Sequence, residues 1–102
     1  MARVVITAMA FQDLERIMVK LAVRAGWAVS ARYDAEFTAL FERLQQFPGT
    51  GAPRPKLGKS TRIGIISPYV VIYDVVGGVV TVLRVVHGRR KITRKLTQFK
   101  SK

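Results

Sequence analysis

The chain reads as a small α+β domain: an N-terminal strand, a two-helix hairpin, a three-stranded antiparallel meander and a basic C-terminal tail. Three observations predict this. Apolar residues recur at three- and four-residue steps from position 10 to position 47, the period of one helix face. From 61 to 86 the chain becomes rich in Val and Ile, cut by Pro68 and by Gly77-Gly78, as strands and their turns would be. Between these halves, residues 48–60 hold three of the four prolines and three glycines, the composition of an irregular loop.

Arg3 to Thr7 predicts the first strand. Ala10, Leu14, Ile17, Leu21 and Ala25, with Met18 and Ala22 beside them, predict a helix near 9–25. Asp13, Arg16, Lys20 and Arg24 form its opposite, solvated stripe. Gly26 stands where a helix ends in a left-handed residue. Tyr33, Phe37, Leu40, Phe41 and Leu44 predict a second helix near 28–46, closed by Pro48-Gly49, and their aromatic stripe reads as core. Thr61 to Ile66, Tyr69 to Val76 and Val79 to Val86 predict the meander, with Gly77-Gly78 as a two-residue hairpin turn. Residues 1–91 form one domain and 92–102 a basic tail.

Composition excludes several chemistries. The absence of cysteine removes disulfides, thiolate metal sites and a cysteine nucleophile, and a single histidine makes no zinc site. No cofactor or metal is expected. Residues 63–86 are long and apolar enough to suggest a membrane helix, but Pro68, Asp74, Gly77-Gly78 and Arg84 in a β-branched run point to strands, so no membrane is expected as partner. Met1 to Ile6 runs directly into Asp13, Glu15 and Arg16, unlike a secretory signal, so cytoplasm is the expected compartment. Asp13, Glu15, Asp34, Glu36 and Glu42 read as solvated helix residues rather than a catalytic carboxylate pair, and Gly49-Thr50-Gly51 lacks phosphate-loop spacing.

The charge of +12 is lopsided. Residues 54–102 carry twelve Lys and Arg against Asp74 as their only acid, a pattern that suits an acidic partner. The strands add a second pointer. Tyr69, Val71, Tyr73 and Val75 make one apolar side of a strand, and Val70, Ile72 and Val76 make the other. Two helices cover one sheet face, so the second needs the tail (Ile92, Leu96, Phe99), a second copy or a partner chain. The chemistry-bearing constellation is His87-Gly88-Arg89-Arg90-Lys91 at the end of the last strand. An imidazole beside two guanidiniums binds phosphate or an acidic surface, or serves acid–base chemistry on RNA. Arg62 and Arg84 are candidates for the same basic surface.

Ordered fragments of the chain resemble the ParE/RelE toxin superfamily of bacterial type II toxin–antitoxin pairs, closest to the ParE branch. These are Ala10 to Ile17, Leu44 to Pro48 with Gly51, Leu57-Gly58 with Arg62, Pro68 to Tyr73, and Val82 to Arg90, spread over roughly 80 residues. RelE-like members, ribosome-dependent mRNA endoribonucleases, typically carry Tyr-Arg where this chain has Tyr69-Val70, and often a later tyrosine, whereas this chain has none after Tyr73.

The resemblance therefore implies a RelE/ParE-like fold and a ParE-like toxin. Such a toxin inhibits DNA gyrase by protein–protein contact and not as an enzyme. It implies a cognate ParD-like antitoxin, a hetero-oligomer with it, and operator DNA reached only through the antitoxin. The resemblance identifies no nucleophile; on the residues themselves we expect the toxic surface at Arg62, Arg84, His87, Arg89, Arg90 and Lys91, and antitoxin contacts at Leu14, Ile17, Met18, Leu21, Trp27 and Tyr73. The alternatives are an endoribonuclease using His87, Arg89 and Arg90, a basic nucleic-acid-binding module, and an inactive toxin.

Overall fold

The computed structural model of the chain describes residues 1–97. Phe99, Lys100 and Lys102 of the tail lie outside the described residues. The elements follow one another as β1 (Arg3–Ile6), α1 (Ala8–Ala25), α2 (Trp27–Gln46), β2 (Ala52–Pro53), β3 (Thr61–Ile66), β4 (Tyr69–Val76), β5 (Val79–His87) and α3 (Arg94–Thr97). The expected strand, helical hairpin and meander are all present. Two short elements, β2 and α3, join them.

The five strands form one sheet in the order β1-β5-β4-β3-β2. β3, β4 and β5 pair antiparallel, as a meander must, while β1 pairs parallel with β5 through Arg3↔Val79 to Ile6↔Val82. Gly77 and Gly78 have φ of 55° and 77°, the two positive values that the expected hairpin turn requires. β2 sits at the sheet edge, where Pro53, having no N–H, leaves no inner ladder bond unmade.

Thr7 caps α1: its hydroxyl accepts from the Ala10 N–H at 3.1 Å and donates to the Leu83 carbonyl at 3.2 Å. One side chain thus starts the helix and ties it to β5. Gly26 separates the two helices with φ 96° and ψ 163°. The positive φ was expected, but the residue is extended rather than left-handed helical, and this sets α2 back along α1.

The helix side of the sheet holds the larger core. Ala10, Phe37, Leu40 and Leu44 meet Val71, Tyr73, Val80, Val82 and Val85. The opposite side holds a second core of Leu57, Ile63, Val70, Ile72, Leu83 and Val86, against which Ile92 and Leu96 pack. Ile92 and Leu96 of the tail thus pack on the sheet. No described helix is long and apolar enough to cross a membrane.

Candidate functional site

A β-bulge organises the site. The β4–β5 register runs Ile72↔Arg84 and then Tyr73↔Val82, so Leu83 is an extra residue on β5. β1 ends opposite Val82, so β5 has a free backbone edge from Leu83 onward. Asp13 of α1 fills this edge. Its Oδ2 accepts from the Val85 N–H at 3.0 Å and from Arg84 Nε at 2.7 Å, and its Oδ1 accepts from Arg84 Nη2 at 3.0 Å. Arg16 adds a bond to Oδ1 at 3.3 Å. The pair is a two-pronged guanidinium–carboxylate contact with both partners buried, Asp13 at 3% and Arg84 at 6% exposure. Arg84 Nη1 then donates to the Leu96 carbonyl at 3.2 Å. One ion pair therefore joins the first helix, the last strand and the tail.

This corrects two sequence expectations. Asp13 belongs to no solvated stripe: the bulged strand offers it a main-chain donor and a cation, and both need a carboxylate in the absence of water. Arg84 lies on no surface, because the same pairing consumes its charge. The signal was available in the sequence, since a cation inside an apolar strand requires a buried partner.

The other basic residues divide into two places. His87, Arg89, Arg90 and Lys91 are exposed and contiguous at the end of β5. The His87 ring meets Tyr69 edge-on, with centroids 5.9 Å apart, and Tyr33 meets the same Tyr69 ring at 5.7 Å. The Arg89 N–H donates to His87 Nδ1 at 3.0 Å, which leaves Nε2 as the nitrogen that carries the proton of the neutral ring. Burial, with the neighbouring Tyr33 phenol adding to it, pushes the Tyr69 hydroxyl above its ordinary pKa. Arg62 stands elsewhere. It pairs with Tyr73 on β4, whereas His87 pairs with Tyr69, four residues or about 13 Å along that strand. Its Nη1 donates to the Gly49 and Gly51 carbonyls at 2.9 and 2.6 Å, so it holds the loop after α2 and does not join the His87 group.

The residues expected to meet an antitoxin also separate. Tyr73 is fully buried and its hydroxyl accepts from the Gly51 N–H at 2.9 Å, so the core takes it away from any partner. Leu14, Ile17, Met18 and Leu21 are half-buried against the helix-side core. Leu14 and Met18 also line an apolar cleft of about 420 Å³ between α1 and α2, with Ile6, Phe11 and Phe41. Trp27 is 80% exposed at the start of α2. The periodicity missed Phe11, Val19 and Val23, which are exposed on α1 outside its core stripe. The one usable signal was that these apolar residues fall off the inward face.

Among the described residues no group of three or more His, Asp or Glu side chains is placed to hold a metal.

The comparisons with known proteins agree with the fold. Residues 4–92 match the family model described as ParE toxin of type II toxin-antitoxin system, parDE. The chain is 29% identical over 96 residues to Toxin ParE3 of Caulobacter vibrioides, covering 94% of this chain and 96% of that protein. A solved structure titled "Chromosomal ParDE TA system from P. aeruginosa" shares the fold, with a TM-score of 0.72 at 24% identity, over 85% of this chain and 96% of that one.

Proposed function

This chain belongs to the ParE toxin family of type II toxin–antitoxin systems, and from that premise we propose that it inhibits DNA gyrase by protein contact and is neutralised by a cognate ParD-like antitoxin. The observation that carries this reading is the presence of two chemically opposite surfaces at separate places. One is the apolar α1–α2 cleft with Leu14, Met18, Phe11 and Phe41. The other is the basic end of β5, with His87, Arg89, Arg90 and Lys91. An antitoxin segment with apolar residues at helical spacing fits the cleft, and acidic residues flanking that segment would be drawn in by the positive half of the chain. The basic end is then the surface offered to gyrase.

The distinguishing experiment is a cleavage assay with purified gyrase, ATP and supercoiled plasmid. Linear, protein-linked DNA accumulates with this chain present and disappears when a ParD-like antitoxin is added first. Unimpaired supercoiling with folded protein overturns the reading. One observation favours a second reading, an endoribonuclease: His87, Arg89 and Arg90 do stand together in solvent. Ribosome-dependent mRNA cleavage lost in His87→Ala, with gyrase unaffected throughout, would select it.

A further inference from the structure

A cleft of about 370 Å³ opens where the start of α1, the end of β5 and the segment entering α3 meet. Met9 and Leu96 give it apolar sides, and Arg90, Lys91, Thr93 and Lys95 bring polar groups to it. Arg84 also borders the cleft, but its charge is matched by Asp13 at 2.7 Å. The other three cations differ. Among the described residues, no carboxylate lies within ion-pair distance of Arg90, Lys91 or Lys95. The sequence explains this: Asp74 is the last acidic side chain, and residues 89–95 alone carry five cations.

Three unmatched cations bordering one concavity repel each other, and a multi-oxygen anion removes that repulsion. An arginine fork, two ammonium groups and a hydroxyl are the donor types that hold phosphate oxygens. We propose that this cleft is a phosphate site for a nucleic-acid backbone, with Arg90, Lys91 and Lys95 as charge partners and Thr93 as the hydroxyl donor. Arg89 and Arg94 flank them in sequence and extend the positive charge to neighbouring phosphates. The charge density is the argument against an acidic peptide, because duplex DNA presents one charge per about 1.7 Å of axis. The frame of the site is fixed by hydrogen bonds to main-chain carbonyls. The Arg90 N–H donates to the His87 carbonyl at 2.9 Å, the Leu96 N–H donates to the Thr93 carbonyl at 3.0 Å, and Arg84 holds the Leu96 carbonyl at 3.2 Å. The site rests on the gyrase reading only for its setting, since a toxin docked on gyrase lies beside DNA; the binding itself belongs to this chain.

The test uses the full chain without gyrase. Fluorescence anisotropy of a labelled 20-base-pair duplex, about 20 base pairs being ample for one such site, is followed across a salt titration. The triple variant Arg90→Gln, Lys91→Gln, Lys95→Gln is compared with Arg54→Gln, Lys56→Gln, Lys59→Gln, which removes the same charge from the exposed loop before β3. The expected result is binding by the unaltered chain, at least about 10-fold weaker in the cleft variant, with a salt slope reduced by about 2.7 for three lost phosphate contacts. The loop variant keeps most of the affinity. Equal losses in both variants would reduce the effect to net charge and overturn the site, as would no binding at low salt or equal competition by polyglutamate of matched charge. Circular dichroism checks each fold, and Lys95→Gln alone, expected to lower the slope by about 0.9, serves if the triple variant is unstable. A gyrase assay that fails while this binding holds would remove the gyrase reading and leave the site standing.

Discussion

The two faces of the sheet are both apolar and are covered by different means. On one face, two helices of 18 and 20 residues lay a continuous apolar stripe over Val71, Tyr73, Val80 and Val82. On the other, Ile72, Leu83 and Val86 are covered by Leu57 from the loop and by Ile92 and Leu96 from the tail. The first cover is regular structure with its own hydrogen bonds. The second is two short segments that also carry Arg54, Lys56, Lys59, Arg94 and Lys95, all exposed. The fold therefore stores stability on one side and presents charge on the other, and the Asp13–Arg84 pair connects the two.

Breaking that connection carries the largest expected effect. Asp13→Ala leaves Arg84 buried without a counter-charge and the Val85 N–H without an acceptor. The loss is about 3–5 kcal/mol, as for other buried pairs broken from one side. Urea unfolding followed by circular dichroism reads it, and Arg84→Met added to Asp13→Ala should recover part of it. A double variant no more stable than Asp13→Ala would show that the ion pair is not the source of the loss.

The same substitution on each face sharpens the contrast. Leu44 is fully buried in α2 on the helix side, and Leu44→Ala is expected to cost about 3 kcal/mol. Leu96 is half-buried in the tail, and Leu96→Ala is expected to cost about 1 kcal/mol, because the tail can lift from the sheet instead of leaving a cavity. Amide exchange separates the two outcomes. Leu96→Ala should speed exchange in residues 92–97 and leave β4 protected, whereas Leu44→Ala lowers protection throughout. Equal costs would mean that the tail is as integral to the fold as α2.

What could be read from the sequence follows the same division. Helix period, the glycine pair at 77–78 and the β-branched runs are local signals, and each element they predicted is present. Asp13 escaped because a helical wheel groups it with Arg16, Lys20 and Arg24, and only the bulge at Leu83 brings Arg84 and the Val85 N–H to it. Tyr73 escaped as a partner residue because its acceptor role for Gly51 is set by a loop 22 residues away. There the glycine matters: a Cβ on Gly51 would collide with the Tyr73 hydroxyl and the Ile63 carbonyl. β2 and α3 are too short to carry a period. The cover of the second face was open in the sequence between tail, copy and partner, since any of them would leave the same apolar strands.

The smallest expected effect lies on the helix side, at Tyr69, buried between Tyr33, Phe37 and His87. Its hydroxyl is held above the ordinary 10.0 by burial first and by Tyr33 second. A group whose folded pKa is raised contributes its stability below the unfolded pKa and loses it as pH rises through the folded value. The unaltered chain should therefore lose stability above about pH 10, as the unfolded tyrosine ionises and the folded one resists. Lysines titrate in the same range, so the informative quantity is the difference from Tyr69→Phe, which has no proton to lose there. That difference should stay flat from pH 7 to about 9 and then turn against the unaltered chain. A flat difference up to about pH 11 would mean that Tyr69 ionises as easily folded as unfolded, and that the aromatic cluster beside His87 is wetter than its packing indicates.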